Sequence, residues 1–491
     1  MSGQKLFHQR RAGRSDDRAV IAATRFGLGM GVNDRAAIGG RPQAWLKQQT
    51  LRPATQARAR ESDEVWADQR HRVRQFRDAH RANSKALKRA ADAQARADLA
   101  QERKILEKYF FQDGSGRLRD EFQWLAHEAV TTSRPFTERL VRFWVNHFAV
   151  RPRNNAMLML LPAFEHQVVR PFVNGRFRDM LLAAESHPLM LMFLDNVRSF
   201  GPNSVGGKRR GAGLNENLAR EVLELHTLGV NGGYGQSDVA ALAAALTGWT
   251  VSIEDTASSD EYGNFWFREA VHEPGDVTLL GRRYADVPGA GGVLQAQAIL
   301  SDLAGHPSTA TYLSYKLAQH FIADDPDPAD VKRLADVYLA HDGDLGEVYR
   351  VLIEMEAAWQ APLSKLKQPW DYGLSSLRVC DVRPDKQFSR YLFGQLRAMG
   401  QPAYRPPGPQ GWYDRTGDWA DTSSLLVRAN WARALSEKIA LDEDALEIGA
   451  RALGGLLPQA ARDVIGAPPR KTSGKAEALA LLIASPSFQR R

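Results

Sequence analysis

Apolar side chains recur at helical spacing along most of this 491-residue chain, and this periodicity limits the fold more than any other feature. The repeat is strongest between residues 120 and 195, where it includes Leu140, Phe143, Trp144, His147 and Phe148. Strand-like runs occur only at 264–267 and 277–280, with Gly and Pro between them, which predicts a small hairpin. We therefore predict a mainly α fold: a large multi-helix body with a small β-hairpin insertion and a long charged helical arm.

The charged arm is predicted from residues 56–112, which lack Gly and Pro almost entirely. Within this stretch 14 Lys and Arg oppose 9 Asp and Glu, so it supplies most of the net charge of +8. The composition predicts one or two long helices, or a helical hairpin, that project from the body or lie on it. The arm is then either a solvated charged face or a docking surface for a partner or an anionic polymer. Residues 18–55 and 113–491 are predicted to form one helical body, and residues 1–17 a disordered N-terminus.

Composition excludes several classes of protein. A hydrophobic fraction of 43% is too high for a disordered chain. The single Cys380 excludes a disulfide framework, a Cys-based zinc site and a self-contained iron–sulfur cluster. No apolar run reaches about 18 residues, so no membrane insertion is expected. Arg10 and Arg11 are not followed by the apolar stretch of an export signal, which predicts a cytoplasmic protein unless a signal-bearing partner carries it out.

A glycine-rich basic segment, residues 199–214, contains a run that partly matches a phosphate-binding loop. Its glycine spacing is one residue off, no Ser or Thr follows Lys208, and no helix is expected to open there, whereas a phosphate loop needs a helix N-terminus. The segment is therefore either a surface loop or an anion-binding loop that uses Lys208, Arg209 and Arg210. Nucleic-acid binding is not expected, because the basic arm lacks interleaved aromatic side chains.

The densest polar cluster of the chain lies in residues 215–229, which are predicted to form one helix that Asn215 caps. At about 100° per residue, His226 lies on the apolar face of this helix. The other face carries the polar side chains Glu216, Asn217, Arg220, Glu221 and Glu224. That face is either a salt-bridged surface strip or the wall of a pocket, in which crowded carboxylates raise one another's pKa and one becomes a general acid or base.

His147 falls on the apolar stripe of its own predicted helix and is expected to face inward. An inward histidine is either a hydrogen-bonded core residue or a metal ligand. Together with His226 and a carboxylate, His147 would make an open two-histidine-one-carboxylate metal site. The residue pattern leaves both interpretations open, so the metal and any other cofactor stay unassigned.

An ordered series of motifs, from about residue 18 to the C-terminus, resembles one bacterial family. The series contains Arg25-Phe26-Gly27, residues 142–148 (RFWVNHF), 177–179 (FRD), His187-Pro188, 194–196 (LDN), 201–204 (GPNS), 215–229, 245–249 (ALTGW), 305–310, 341–345 and 406–412 (PPGPQGW). These motifs resemble the family catalogued as domain of unknown function 1800 (DUF1800). The chain departs from the family at Val145, where members commonly have the first histidine of a Trp-His-Asn-His-Phe run. An obligatory ligand at that position would be missing here.

The resemblance to this family implies properties that cannot be inferred from the residues alone. Members of the family are often exported, and their genes often lie beside genes of the domain of unknown function 1501 (DUF1501) family. Members of that second family resemble the alkaline phosphatase superfamily. The resemblance therefore implies a DUF1501 protein as a partner, without implying a reaction.

Two hypotheses for the function follow, and the first is an enzyme of hydrolysis or group transfer. Its pocket is predicted where the Asp195–Ser204 loop, the 215–226 helix and the helix of His147 converge. The predicted catalytic residues are Glu221, Glu224, His226 and His147. The predicted residues for binding an oxygen-rich or anionic substrate are Asn215, Asn217, Arg220, Asp195, Asn203 and Ser204. The second hypothesis is a non-enzymatic partner or scaffold, which would use the basic arm and a Pro/Trp surface at 402–419 to hold a co-exported protein.

Overall fold

The computed structural model describes residues 17–51, 57–252, 263–286, 291–439, 443–467 and 474–491. It is 67% helical and has two small antiparallel sheets within these ranges, which confirms the predicted mainly α class. The predicted disordered segment 1–17 lies outside the described residues, apart from Asp17. No helix of the described chain is both long enough and apolar enough to cross a bilayer.

The α-helices of the first half of the chain are α1 (Asp34–Ile38), α2 (Pro42–Thr50), α3 (Ala57–Arg89), α4 (Ala93–Thr131), α5 (Pro135–His147), α6 (Asn155–Phe164), α7 (Phe177–Ser186), α8 (Pro188–Phe193), α9 (Val205–Arg210), α10 (Asn217–Glu221) and α11 (Gln236–Leu246). Those of the second half are α12 (Gly291–Ala304), α13 (Pro307–Phe321), α14 (Pro328–Ala340), α15 (Leu345–Glu354), α16 (Pro369–Val379), α17 (Lys386–Ala398), α18 (Thr422–Lys438), α19 (Ala445–Leu453), α20 (Gln459–Gly466) and α21 (Gly474–Ala484). Wider π-helical turns occur at π1 (Ala22–Phe26), π2 (Glu165–Val169) and π3 (Val222–His226). Short 3₁₀ turns occur at Asn196–Arg198, Glu269–Val271, Glu356–Trp359, Thr416–Trp419 and Gly454–Leu456.

Both predicted strands exist, but they do not pair with each other. The strands are β1 (Trp249–Val251), β2 (Phe265–Phe267), β3 (Val277–Leu279) and β4 (Arg282–Tyr284). Strand β2 pairs with β1, and β3 pairs with β4, both antiparallel. Leu280 and Gly281 both have positive φ, at 50° and 77°, which is the conformation of a tight two-residue hairpin turn. Strand β3 therefore pairs with β4, the strand that follows it in the sequence. The small β insertion is confirmed, and the predicted pairing of its strands is wrong.

The predicted basic arm is a helical hairpin formed by α3 and α4. Asn83 of α3 donates a hydrogen bond to the Leu99 carbonyl oxygen (2.9 Å), and Phe76 stacks on Phe110 with ring centroids 4.2 Å apart. As the residue number increases along α3, the number of the residue that it contacts on α4 decreases. The two helices are therefore antiparallel. The Asp92 carboxylate caps the start of α4. Helix α4 continues without a break through residue 112, where the arm was predicted to end, and its second half packs into the body.

Buried apolar side chains form two clusters, and α4 contributes to both. Leu118 belongs to the first cluster, which includes α5 to α8 and α12 to α15. Phe122, one turn later, belongs to the second cluster, which is built mainly from α16 to α21. The end of α4 is therefore a place where the two halves of the interior must fit together.

Arg378 of α16 holds the end of α4 in place. Its buried guanidinium donates to both carboxylate oxygens of Asp34 at 3.0 Å. It also donates to the carbonyl oxygens of Ala129 (2.9 Å), Val130 (2.7 Å) and Thr132 (3.0 Å). The last carbonyls of a helix lack partners inside the helix, so a buried guanidinium that satisfies three of them replaces a conventional cap.

We predict that Arg378→Met lowers the free energy of unfolding by about 3–5 kcal/mol, because Asp34 and the α4 carbonyls lose their partner while they remain buried. A urea titration followed by circular dichroism measures this change. Arg390→Met, at an exposed arginine of α17, is the matched control. A loss below about 1 kcal/mol in the Arg378 variant would contradict the role assigned to this residue.

Candidate functional site

A pocket of about 360 Å³ lies between α5, α13 and the segment 401–414. Its wall is mainly apolar, and its aromatic members are Phe143, Phe148, Phe164, Tyr312, Tyr315, Trp370, Tyr404, Trp412 and Tyr413. An apolar recess with a few polar groups is the usual form of a small-molecule site. A second depression, of about 520 Å³, lies near α19 and α20, but the charged groups that line it are only Arg462 and Asp463. We therefore treat the first, which we call the aromatic pocket, as the candidate site.

One side chain of α5, Asn146, holds the segment 401–414 against that helix. Its Oδ1 accepts a hydrogen bond from the Trp412 amide (2.7 Å), and its Nδ2 donates to the Trp412 carbonyl oxygen (2.9 Å). The preceding Gly411 has a φ of 74°, and a Cβ there would overlap the Asn146 carbonyl oxygen. Glycine is required for this close approach. Part of the Pro/Trp surface predicted at 402–419 is thus a wall of the aromatic pocket.

Lys316 of α13 is a cation of the aromatic pocket that no carboxylate neutralises directly. Its Nζ lies 2.9 Å from Nδ1 of His147, and no carboxylate of the described chain lies within 4.0 Å of it. Burial lowers the pKa of the Lys316 amine to about 8. About a tenth of this amine is therefore unprotonated at pH 7, and free amines act as general bases and nucleophiles.

His147, at the end of α5, fixes the position of the Lys316 amine. Its Nε2 lies 3.1 Å from the His226 carbonyl oxygen. Because a carbonyl oxygen only accepts hydrogen bonds, Nε2 carries the proton and Nδ1 accepts from Lys316. Burial first, and then the charge of Lys316, hold the pKa of His147 well below its ordinary value. His147 is therefore a neutral imidazole in one defined tautomer.

Behind His147 lies a buried pair of side chains, Glu185 and His226, of which the sequence analysis identified only His226. Nδ1 of His226 lies 2.7 Å from Oε1 of Glu185, and both side chains are 0% exposed. The inward orientation predicted for His147 and His226 is confirmed by exposures of 1% and 0%. Contacts therefore run from Glu185 through His226 and His147 to Lys316. The link between the histidines is a backbone carbonyl, so the series positions groups and does not relay protons.

The two-histidine-one-carboxylate metal site, one of the two interpretations left open for His147, is not formed by the side chains of His147 and His226. The ring nitrogens of His147 face Lys316 and the backbone of His226, which leaves neither free to share an ion with the His226 ring. Within the described ranges, no three His, Cys, Asp or Glu side chains are grouped as metal ligands. His147 instead uses its Nδ1 to accept a hydrogen bond from Lys316.

The helix predicted at 215–229 is shorter and less regular than expected. Helix α10 ends at Glu221 and π3 follows it, and Glu216, not Asn215, occupies the N-cap position. The Asn215 side chain instead accepts a hydrogen bond from the Asn217 amide at 3.0 Å. A π turn is wider than an α turn, so the predicted spacing of 100° per residue does not hold beyond Glu221, although His226 still faces inward.

The polar side chains of α10 and π3 form a partly exposed ion-pair strip. Arg220 contacts Glu216 at 3.2 Å and Glu224 at 3.4 Å, both at helical i,i+4 spacing. Burial raises the pKa of the neighbouring Glu221 carboxyl, and the charge of Glu224 adds to this rise. Of this region only Leu225 lines the aromatic pocket. The strip therefore lies beside the site and not in its wall.

The other predicted substrate-binding side chains are engaged in local structure. Asp195 pairs with Arg153 at 2.7 Å, and Asn203 donates to a Glu273 oxygen at 2.5 Å. Ser204 caps α9, since its Oγ accepts a hydrogen bond from the Gly207 amide at 3.0 Å.

The expectation that no helix opens in the glycine-rich segment 199–214 is wrong, because α9 begins at Val205. Helix α9 has six residues, and the last three are the exposed Lys208, Arg209 and Arg210. These cations lie at the C-terminal end of the helix. A phosphate-binding loop would instead direct the N-terminal amides of a helix at the anion.

Lys316 was missed by the sequence analysis, although α13 contains a signal for it. Tyr312, Lys316 and His320 recur every four residues, beside the apolar positions Leu313 and Leu317. This spacing places the three polar or aromatic side chains on one face of the helix. The contact between Lys316 and His147 joins residues 169 positions apart, and no local pattern indicates it.

Comparison with known proteins gives a family and no function. No curated protein and no solved structure matches the chain. The model of a family described as "Protein of unknown function (DUF1800)" matches residues 21–490, nearly the full length. The chain therefore belongs to the DUF1800 family.

Proposed function

We propose that the protein is an enzyme of the hydrolytic or group-transfer class in which Lys316 acts as the general base. One observation carries the proposal: the wall of an apolar pocket contains an amine whose pKa is about 8 and whose hydrogen-bond partner is a neutral imidazole. A general base is most effective when its pKa lies near the working pH. Lysines acquire such values by burial, which disfavours the ammonium form.

The aromatic pocket favours a substrate with an aromatic or aliphatic body and one polar reacting group. Phe143, Tyr312 and Trp412 offer ring surfaces to the body of such a molecule. The reacting group would lie beside Lys316. The free amine of Lys316 would take a proton from the attacking water or acceptor hydroxyl, and the lysine would return it to the leaving group.

His147 has a positioning role in this proposal. Because its pKa lies well below that of Lys316, the proton that the pair shares stays on the lysine. The neutral ring accepts a hydrogen bond from the ammonium form and so keeps Nζ in one place through the cycle. The acid–base roles predicted for Glu221 and Glu224 stay predictions, since both carboxylates lie outside the wall of the aromatic pocket.

We predict that Lys316 is the lysine most rapidly labelled by benzaldehyde and cyanoborohydride at pH 7.5, since it lines the aromatic pocket. Lys367, whose pKa is lowered to about 7, is 2% exposed and does not line the pocket, so the reagent does not reach it. The free-amine fraction of Lys316 exceeds that of an ordinary lysine by about two orders of magnitude at this pH. Labelling should increase as the pH rises through about 8 and then level off, because the amine must be unprotonated to react. Peptide mass spectrometry measures the modification at each lysine. Labelling spread evenly over the lysines would contradict the lowered pKa.

We also predict that the protein hydrolyses at least one of the p-nitrophenyl esters of acetate, butyrate and benzoate, and that Lys316→Met lowers kcat/KM by about 100-fold or more. The rate should rise with pH through about 8, as expected for a base that works unprotonated. Lys332→Met, at an exposed lysine of α14, is the control. Equal rates for the two variants would exclude Lys316 as the base.

A second proposal concerns the arm. We propose that the hairpin of α3 and α4 binds a protein partner, and that the partner is a DUF1501 protein that carries the export signal. Ile105 and Tyr109, one turn apart on α4, are 58% and 68% exposed, and the exposed Lys104 and Lys108 flank them. Such a basic and apolar face suits a partner with apolar and acidic side chains. We do not extend this proposal to nucleic acid, because stacked aromatic side chains would be needed on that face.

For this second proposal, we predict that the double variant Ile105→Glu and Tyr109→Glu no longer co-purifies with a co-expressed DUF1501 protein. Leu426→Glu, at an apolar side chain of α18 that is equally exposed, should still co-purify. Cell fractionation of the same cultures tests whether the chain leaves the cytoplasm only with its partner. Unchanged capture of the double variant would show that the arm is not the interface.

A further inference from the structure

Arg428, on the inner face of α18, is a buried cation whose hydrogen-bonding groups have no protein partner. Its side chain is 0% exposed, and none of its three guanidinium nitrogens meets an acceptor in the described chain. The guanidinium lies over the Tyr372 ring, 5.3 Å from the centroid. A ring face attracts a cation but accepts none of its five N–H bonds in a regular way. A guanidinium buried in this way needs a further partner.

A second buried cation, Lys367, lies on the same pair of aromatic rings. Its Nζ is 4.0 Å from the centroid of Phe488, and the Phe488 and Tyr372 rings are 6.3 Å apart. The ammonium donates one hydrogen bond to Ser375 Oγ (3.0 Å). That hydroxyl in turn donates to the Tyr372 carbonyl oxygen (3.2 Å). Two N–H bonds of Lys367 therefore have no acceptor among the hydrogen bonds of the described chain.

The carboxylate whose charge acts on both Lys367 and Arg428 is Asp371, and it is already engaged by two other cations. Its Oδ2 contacts Arg139 at 2.9 Å and Arg491 at 3.2 Å. Four cationic side chains thus lie in the region of Asp371, and one of them, Arg491, also pairs with Asp414 at 3.0 Å. Burial lowers the pKa of Lys367 to about 7, and the charge of Arg428 contributes to that change. Positive charge is therefore in excess in this region. The cations that have no carboxylate partner within the described chain are Arg428 and Lys367.

We propose that a small inorganic anion of the halide class binds between Arg428 and Lys367, beside the Tyr372 and Phe488 rings. The anion accepts hydrogen bonds from the guanidinium and the ammonium, which carry the unsatisfied donors. It also supplies the negative charge that the interior lacks at this point. The site is structural, since neither cation lines the aromatic pocket, and it does not depend on the reaction proposed above.

Chloride is the probe for this site. The full-length protein is dialysed into sodium gluconate and titrated with sodium chloride at constant ionic strength while its melting temperature is measured. We expect a rise of about 3 °C that saturates, because a ligand of the folded state alone stabilises it by mass action. The rise should be absent in Arg428→Met and present in Arg433→Met, which removes an exposed arginine of the same helix.

A bromide experiment tests the same site in the unaltered protein, in case Arg428→Met does not fold. Crystals prepared in sodium bromide should show an anomalous scattering peak in contact with both Arg428 and Lys367. A melting temperature that is the same in chloride and gluconate would overturn the proposal. So would crystals without a bromide peak between these two side chains.

Discussion

Two carboxylates, the buried Asp371 and the half-buried Asp414, hold together the parts of the chain that enclose the aromatic pocket. Asp371 contacts Arg139 of α5 at 2.9 Å, and Asp414 contacts His320 of α13 at 2.7 Å, while Arg491 contacts both at 3.2 and 3.0 Å. Burial acts to raise the pKa of each carboxyl, but the cationic partners hold both values below the ordinary range. The wall of the pocket is therefore assembled by charge from segments that are distant in sequence, and its shape is set before any ligand arrives.

This pairing also explains why Lys316 differs from the other cations around the aromatic pocket. The carboxylates nearby already have partners, as Glu165 has in Arg142 and Arg170. The charge of Asp414 raises the pKa of Lys316, but burial lowers it by more. Because the acidic groups of the pocket pair with other cations of the scaffold, the Lys316 amine is left without a carboxylate partner, and groups with perturbed pKa values are common in active sites.

The sequence predicted the fold class and the burial of single residues well, and contacts between distant segments poorly. Helical periodicity was enough to place His147 and His226 inside, because burial depends on the local repeat. Strand pairing depends on turn geometry, and the positive φ of Leu280 is not a typical property of leucine, so the β3–β4 hairpin was not recognised. A regular 3.6-residue helix was assumed where π3 occurs. Glu185 and Lys316 were missed because their significance lies in partners 41 and 169 positions away.

The double hydrogen bond from Asn146 to Trp412 has a consequence for the exchange of bound molecules. Because donor and acceptor of one amide side chain hold the same residue, an outward movement of this wall must break both bonds together. Gly411, which precedes Trp412, lies so close to α5 that a Cβ there would overlap the Asn146 carbonyl oxygen. The two hydrogen bonds therefore act together to stabilise the position of this wall. In the enzyme proposed above, a molecule that enters or leaves past this wall would do so only after both bonds break.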